Sequence, residues 1–221
     1  MVKIYYTDIF SLKDPSVFEQ LYVKVNAQRR SKILRCKNKE DKYRSLAAGL
    51  LLRYALEQHG ISYESAKIII GENGKPYLEE KENFYFSISH SQDLVVCAVA
   101  DKELGVDVES LIRIDKICSD ISKRERFLER IAAKTEKEWF GNLPEEEKKK
   151  GFLRIWTGKE SYGKANGKGI SQKLCEVNVL DENDYLFLAM NEMHYLTVYM
   201  EKIREIGCQF TSINIAKEYR K

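Results

Sequence analysis

Nowhere in the 221 residues of this sequence does an apolar run approach the roughly 20 residues that a membrane-spanning helix needs. The first ten residues, Met1 to Phe10, also lack the basic-then-apolar order of a secretion signal, with Asp8 set among alternating residues. The expectation is a cytoplasmic protein with no membrane partner. The five cysteines, Cys36, Cys97, Cys118, Cys175 and Cys208, stand singly, with no CxxC pair and no histidine at metal-ligand spacing. An odd number without a secretion signal argues against a disulfide framework. Only three histidines, His59, His90 and His194, are present, too few for a zinc site to be expected, so any metal should be a hard, oxygen-liganded ion. No Walker-type GxxxxGK(S/T) loop occurs, which argues against a nucleotidyl or phosphoryl transferase built on one. Strong net charge is missing too: +3 overall is too little for a surface that grips nucleic acid.

What remains has the makeup of a folded chain, 43% hydrophobic and 32% charged, long enough for one large domain or two of about 110 residues each. Charge is concentrated locally. Arg29, Arg30, Lys32, Arg35, Lys37, Lys39, Lys42 and Arg44 face only Glu40 and Asp41, a candidate anion site, although a solvated helix face has the same composition. From Asp41 to Gln58 apolar residues recur at three- and four-residue steps, and Gly60 follows as a stop; this predicts a core-facing helix. Lys67 to Ile70 reads as a strand leading into the Asn73-Gly74 turn, which presents Lys75. Phe84 to Ser89, Leu94 to Ala100 and Leu104 to Val108 read as further strands. The second half opens with helices over Lys123 to Phe140 and Glu145 to Lys164, the latter with Pro144 near its start. Strands are then expected at Cys175 to Leu180, Tyr185 to Ala189, Tyr195 to Met200 and Cys208 to Asn214, with a hairpin turn at Asp181 to Asp184. Both halves read as α+β, helix first and strands after, and the division is placed at 1–109 and 110–221.

Four segments carry chemistry. In Gly105-Val106-Asp107-Val108-Glu109, strand alternation puts two carboxylates on one face, where their repulsion favours a divalent ion with oxygen ligands, magnesium above all; two solvated acids on an exposed strand edge have the same spacing. In Trp156-Thr157-Gly158-Lys159-Glu160-Ser161-Tyr162-Gly163-Lys164, Glu160 and Lys164 lie one helical turn apart and can act on one substrate, the acid as ligand or proton acceptor and the lysine on a displaced phosphate. An ordinary surface ion pair has that spacing as well. Phe86-Ser87-Ile88-Ser89-His90-Ser91 is a strand running into hydroxyls and one imidazole, suited to phosphate or to capping a turn. In Gly74-Lys75-Pro76 the proline fixes the backbone beside the lysine. Gly158 and Gly163, inside the second helix, cost about 1 kcal/mol each relative to alanine.

Taken in order and at their separations, these four motifs resemble the 4′-phosphopantetheinyl transferases, specifically the monomeric surfactin-synthetase-activating type. The likeness extends less sharply to Lys39-Glu40-Asp41 through Arg53 and to Lys134-Thr135-Glu136, and so covers Arg29 to Gly169. It implies a pseudo-twofold α+β fold, two similar halves with the active site between them, and a monomer that transfers the 4′-phosphopantetheine arm of coenzyme A, its co-substrate, to a serine of an acyl or peptidyl carrier protein. By the same resemblance Asp107, Glu109 and Glu160 hold magnesium, with manganese as a substitute. Arg29, Lys32, Arg44 and His90 contact the 3′-phosphate region, Lys75 with Pro76, Ser89 and Lys164 lie along the remaining phosphates, and Glu160 and Lys164 are catalytic.

Overall fold

The computed structural model describes residues 1–79, 83–167 and 172–219. In chain order the elements are β1 (Val2–Asp8), α1 (Pro15–Tyr22), α2 (Ala27–Arg35), α3 (Lys39–Glu57), β2 (Ile68–Ile70), β3 (Pro76–Leu78), β4 (Tyr85–Ser91), β5 (Leu94–Ala100), β6 (Gly105–Ser110), α4 (Leu111–Cys118), α5 (Ile121–Ile131), α6 (Lys134–Gly141), α7 (Glu145–Asn166), β7 (Tyr185–Ala189), β8 (His194–Tyr199), α8 (Ile203–Ile206), β9 (Cys208–Ser212) and α9 (Ile215–Tyr219). Local chemistry sets several of their ends. Asp14 accepts from the amides of Ser16 and Val17 to open α1, whose first residue is proline, and Asn26 accepts from Arg29 N to open α2.

Two sheets form the centre, one ordered β4-β5-β1-β9 and the other β6-β8-β7, with β2 and β3 as a separate hairpin. All pairings are antiparallel except β1 with β9. Strand β5 is buried along its whole length because it is covered on both faces. Val95, Cys97 and Val99 join Leu46, Leu50 and the rest of the α3 core. Val96 and Ala98 meet Val106 and Val108 of β6 and Leu196 and Val198 of β8. A third core, Phe152 and Ile155 of α7 with Leu128 and Ile131 of α5, lies on the far side of the second sheet.

The topology repeats. Strand β1, helix α3 and strands β4 and β5 are matched by β6, α7, β7 and β8, and the sheet orders β4-β5-β1 and β7-β8-β6 correspond strand for strand. This is the α+β fold in two similar halves. A division at 109/110 falls within β6, which pairs with β8; the repeat changes over between β5 and β6, and β9 crosses back to lie beside β1.

Three expectations of local structure are corrected. The helix expected over Lys123 to Phe140 is two helices, α5 and α6, because Ala132 and Ala133 are extended and the buried Glu136 carboxylate accepts the Ala133 amide at 2.7 Å. No strand forms over Cys175 to Leu180: a 3-10 turn occupies Gln172–Glu176. The carbonyls of Leu174 and Val177 go to the Lys159 ammonium, and the Val179 amide goes to Glu136, so the groups a ladder needs are already engaged. With no strand before it, the Asp181 to Asp184 turn leads into β7 without making a hairpin. Strand β1, which lies between two partners at the centre of its sheet, was not expected at all.

Gly105 starts β6 against the backbone of α7. A Cβ there would land on the carbonyl oxygen of Ser161 and 2.7 Å from the Ala165 amide nitrogen, and backbone atoms cannot yield as a flexible side chain can. Gly105→Ala is expected to lower stability by about 3 kcal/mol, the upper end of ordinary overpacking, and to push α7 away from β6; chemical denaturation measures the first. A loss under about 0.5 kcal/mol would show that the two elements are not held in this contact.

Candidate active site

The site forms where β4 of the first half runs beside β6 of the second. Three alternate hydroxyls of β4 reach across: Ser87, Ser89 and Ser91 accept the amides of Val106, Val108 and Ser110 at 3.0, 3.2 and 3.1 Å. These are edge amides of the second sheet, so side-chain oxygens satisfy them where another strand's carbonyls would otherwise be needed. Val106 and Val108 point into the core between the sheets, and Asp107 and Glu109 are thereby turned toward α7. Both acids are buried.

On α7, Glu160 and Lys164 come to the same place. The Lys164 ammonium donates to Asp107 Oδ1 at 2.7 Å, Ser89 Oγ at 2.8 Å and Val106 O at 3.1 Å. Glu109 Oε2 pairs with Arg113 of α4 at 3.0 Å, while its Oε1 accepts from Ser91 Oγ and from Ser110 N at 3.0 Å. Glu160 is half-buried and has no hydrogen-bond or ion-pair partner among the described residues. Burial, and then the Asp107 charge, hold its carboxyl above the usual carboxylate range, with Lys164 and Arg113 opposing. These groups line a cleft of about 280 Å³ with Ser89, His90 and Trp156.

Through His90 and Lys164 this cleft joins a larger one of about 470 Å³, lined by Arg29, Lys32, Lys75, Pro76 and Gly163 among others. Gly163 presents no side chain to it. Arg29 and Lys32 also face a third compartment beside Tyr63 and Ile70. Neither cation has an acidic partner among the described residues, and burial lowers the pKa of both, Lys32 being lowered further by the Arg29 charge. Two cations without counter-ions, Arg29 half-buried and Lys32 exposed at the rim, make an anion site. His90 stands at the mouth; crowding out of bulk water, then the charges of Arg44, Lys164 and Lys32, push it down to about 4. At neutral pH it therefore offers a neutral ring that can donate or accept.

Not every residue read from the sequence is free in the cleft. Arg44 holds Asp41 Oδ1 at 2.5 Å and the Gln92 carbonyl at 2.8 Å. Lys75 lines the larger cleft, but its ammonium is taken by Glu103 and the Ala165 carbonyl. Sequence reasoning missed Arg113, which meets Glu109 one helical step later across a strand-to-helix junction, and it missed the hold of Ser91 on the same acid. The alternating serines of Ser87-Ile88-Ser89-His90-Ser91 were the available signal.

The donor set of Asp107, Glu109 and Glu160 suits a hard divalent cation: three carboxylates around one cleft, one of them unpartnered and raised by burial and then by the others' charge. As the side chains stand, no three metal-binding residues among those described converge on one point; Lys164 and Arg113 are the counter-ions of Asp107 and Glu109.

A family model described as the 4′-phosphopantetheinyl transferase superfamily matches residues 103–198, and one described as 4′-phosphopantetheinyl transferase, N-terminal, matches residues 14–102. The chain is 32% identical over 172 residues to the 4′-phosphopantetheinyl transferase gsp of Aneurinibacillus migulanus, covering 77% of this chain and 68% of that one. It is 28% identical over 180 residues to the 4′-phosphopantetheinyl transferase Sfp of Bacillus subtilis strain 168, covering 79% and 76%. It is 35% identical over 145 residues to the 4′-phosphopantetheinyl transferase HetI of a Nostoc species, covering 63% and 58%.

Proposed function

The chain belongs to the 4′-phosphopantetheinyl transferase family, and on that premise we propose that it moves the phosphopantetheine arm of coenzyme A to a serine of an acyl or peptidyl carrier protein in a magnesium-dependent reaction. The observation that carries the reading is the junction of the two clefts: a compartment with unpaired cations opens, at His90 and Lys164, onto one with three carboxylates. A ligand with phosphate groups at both ends of a nucleotide matches that sequence of charges.

Arg29, Lys32 and His90 take the 3′-phosphate region, and Arg44 joins them when a phosphate competes with Asp41 for its guanidinium. Lys75 and Pro76, Ser89 and Lys164 follow the diphosphate. A magnesium or manganese ion held by Asp107, Glu109 and Glu160 would neutralise charge on that diphosphate. Glu160, raised and unpartnered, accepts the proton of the incoming serine directly or through a water. The serine oxygen forms its bond to the β-phosphorus, and the bond from that phosphorus to the bridging oxygen breaks. Lys164, exchanging Asp107 for phosphate, stabilises the departing adenosine 3′,5′-bisphosphate. The thiol end of the arm takes no part. One chain supplies both sides of the cleft, so a monomer suffices, and among the described residues no helix is long and apolar enough to cross a membrane.

The test is intact-mass spectrometry of an apo carrier protein incubated with this protein, coenzyme A and magnesium. The expected result is a mass gain equal to the phosphopantetheine arm, abolished by a chelator. No gain on several unrelated carriers, with the protein shown to be folded, would overturn the proposal; a gain that survives the chelator would remove the metal from it.

A further inference from the structure

Ser91 and His194 take no part in the reading above, yet both are buried directly behind Glu109. The Ser91 hydroxyl accepts the Ser110 amide at 3.1 Å and donates its proton to Glu109 Oε1. That oxygen also receives the Ser110 amide at 3.0 Å. The inner oxygen of the carboxylate is thus fixed, and Oε2 alone is left toward the cleft, where Arg113 meets it.

Ser91 is itself held. Its carbonyl lies 3.2 Å from His194 Nε2, and the other ring nitrogen, Nδ1, lies 3.1 Å from Asn191 Oδ1. Asn191 Oδ1 already accepts the amides of Met193 and His194 at 2.9 and 2.8 Å, which fixes it as an acceptor. His194 Nε2 therefore faces a carbonyl, with the Asp93 carboxylate 3.5 Å away, and Nδ1 faces a second acceptor. The ring ties the turn between β7 and β8 to the end of β4, and through it to Glu109. Asp107 is held differently: its serine, Ser89, shares the cleft wall with Lys164, whereas Ser91 is sealed away from the cleft.

We propose that Ser91 and His194 are positioning residues for Glu109, fixing which carboxylate oxygen faces a bound cation. The inference rests on the metal-dependent reading above. Outer partners of this kind tune a ligand without touching the ion.

The experiment titrates the coenzyme A complex with Mn²⁺, followed by electron paramagnetic resonance, and measures coenzyme A affinity separately without metal. For Ser91→Ala the expected result is a loss of about tenfold in Mn²⁺ affinity with coenzyme A affinity held within about twofold. Ser91→Thr, which keeps the hydroxyl and suits a strand, should restore Mn²⁺ binding. His194→Phe, which fills the space but donates nothing, should weaken Mn²⁺ binding in the same direction. A folded Ser91→Ala protein with wild-type Mn²⁺ affinity overturns the proposal. So does a parallel loss of Mn²⁺ affinity, coenzyme A affinity and melting temperature, which would make these residues supports of the strand seam only. If the unaltered protein transfers no arm, the functional reading fails; if it transfers the arm and Ser91→Ala matches it in both Mn²⁺ affinity and rate, only the positioning role fails.

Discussion

Glu160→Gln is expected to lower the rate of arm transfer by roughly a thousandfold, within the range for removal of a positioned general base, with little change in coenzyme A binding. Glutamine keeps the shape of the side chain and removes both its charge and its capacity to take a proton. Coenzyme A is expected to bind almost as before, because the cations of the larger cleft, Arg29 and Lys32, lie away from residue 160. The same change should not lower the melting temperature. Glu160 has no partner to lose among the described residues, and burial and Asp107 already work against its charge, so removing that charge relieves repulsion at the site. Single-turnover transfer and a thermal melt measure the two effects. A variant that keeps more than about a tenth of the activity would exclude Glu160 as the proton acceptor.

The largest effect on stability is expected from Lys159→Met. The neighbouring residue on α7, Lys159, is turned from the cleft into the protein, and both it and its partner Glu136 are fully buried, with an Nζ to Oε2 distance of 2.7 Å. Burial lowers the Lys159 pKa, and Glu136 acts in the opposite direction. The ammonium also holds the carbonyls of Leu174 and Val177, and the carboxylate holds the amides of Ala133 and Val179 at 2.7 Å each. Removing the lysine leaves a buried carboxylate without its cation and two carbonyls without a donor, a loss of about 3–5 kcal/mol. For a chain of this size that is a fall of roughly 6–20 °C in melting temperature. Pairing it with Glu136→Leu should recover part of the loss and not all, since the backbone groups stay orphaned. A single variant melting within about 2 °C of the parent would mean that the pair is not closed in solution.

That pair also marks the limit of what the sequence disclosed. Alternation along Gly105-Val106-Asp107-Val108-Glu109 was enough to put two acids on one face, and helical spacing was enough to align Glu160 with Lys164, because both patterns are local. The meeting of the two faces is not local. It depends on Gly105 letting β6 lie on the backbone of α7. The segment Cys175 to Leu180 has the residues of a strand and is kept from being one by a lysine and a glutamate far from it in the chain. Gly158, which looked like a cost within a helix, is explained by Val179, whose Cβ would stand 2.6 Å from any Cβ placed there. Strand β9 was placed correctly in sequence, but its parallel pairing with β1 depends on where the chain returns, which no local pattern records.

The serines at 87, 89 and 91 have a mechanical consequence. A peptide carbonyl is fixed in the plane of its backbone, whereas a serine hydroxyl turns about a single bond. The joint between the halves along this edge is therefore made by side chains and not by a backbone ladder, and a substitution can alter it without touching the hydrogen bonds of either sheet. Two of these serines, Ser89 and Ser91, hold Asp107 and Glu109 as well. Along this edge the seam between the halves and the acids of the cleft therefore share the same two fastenings.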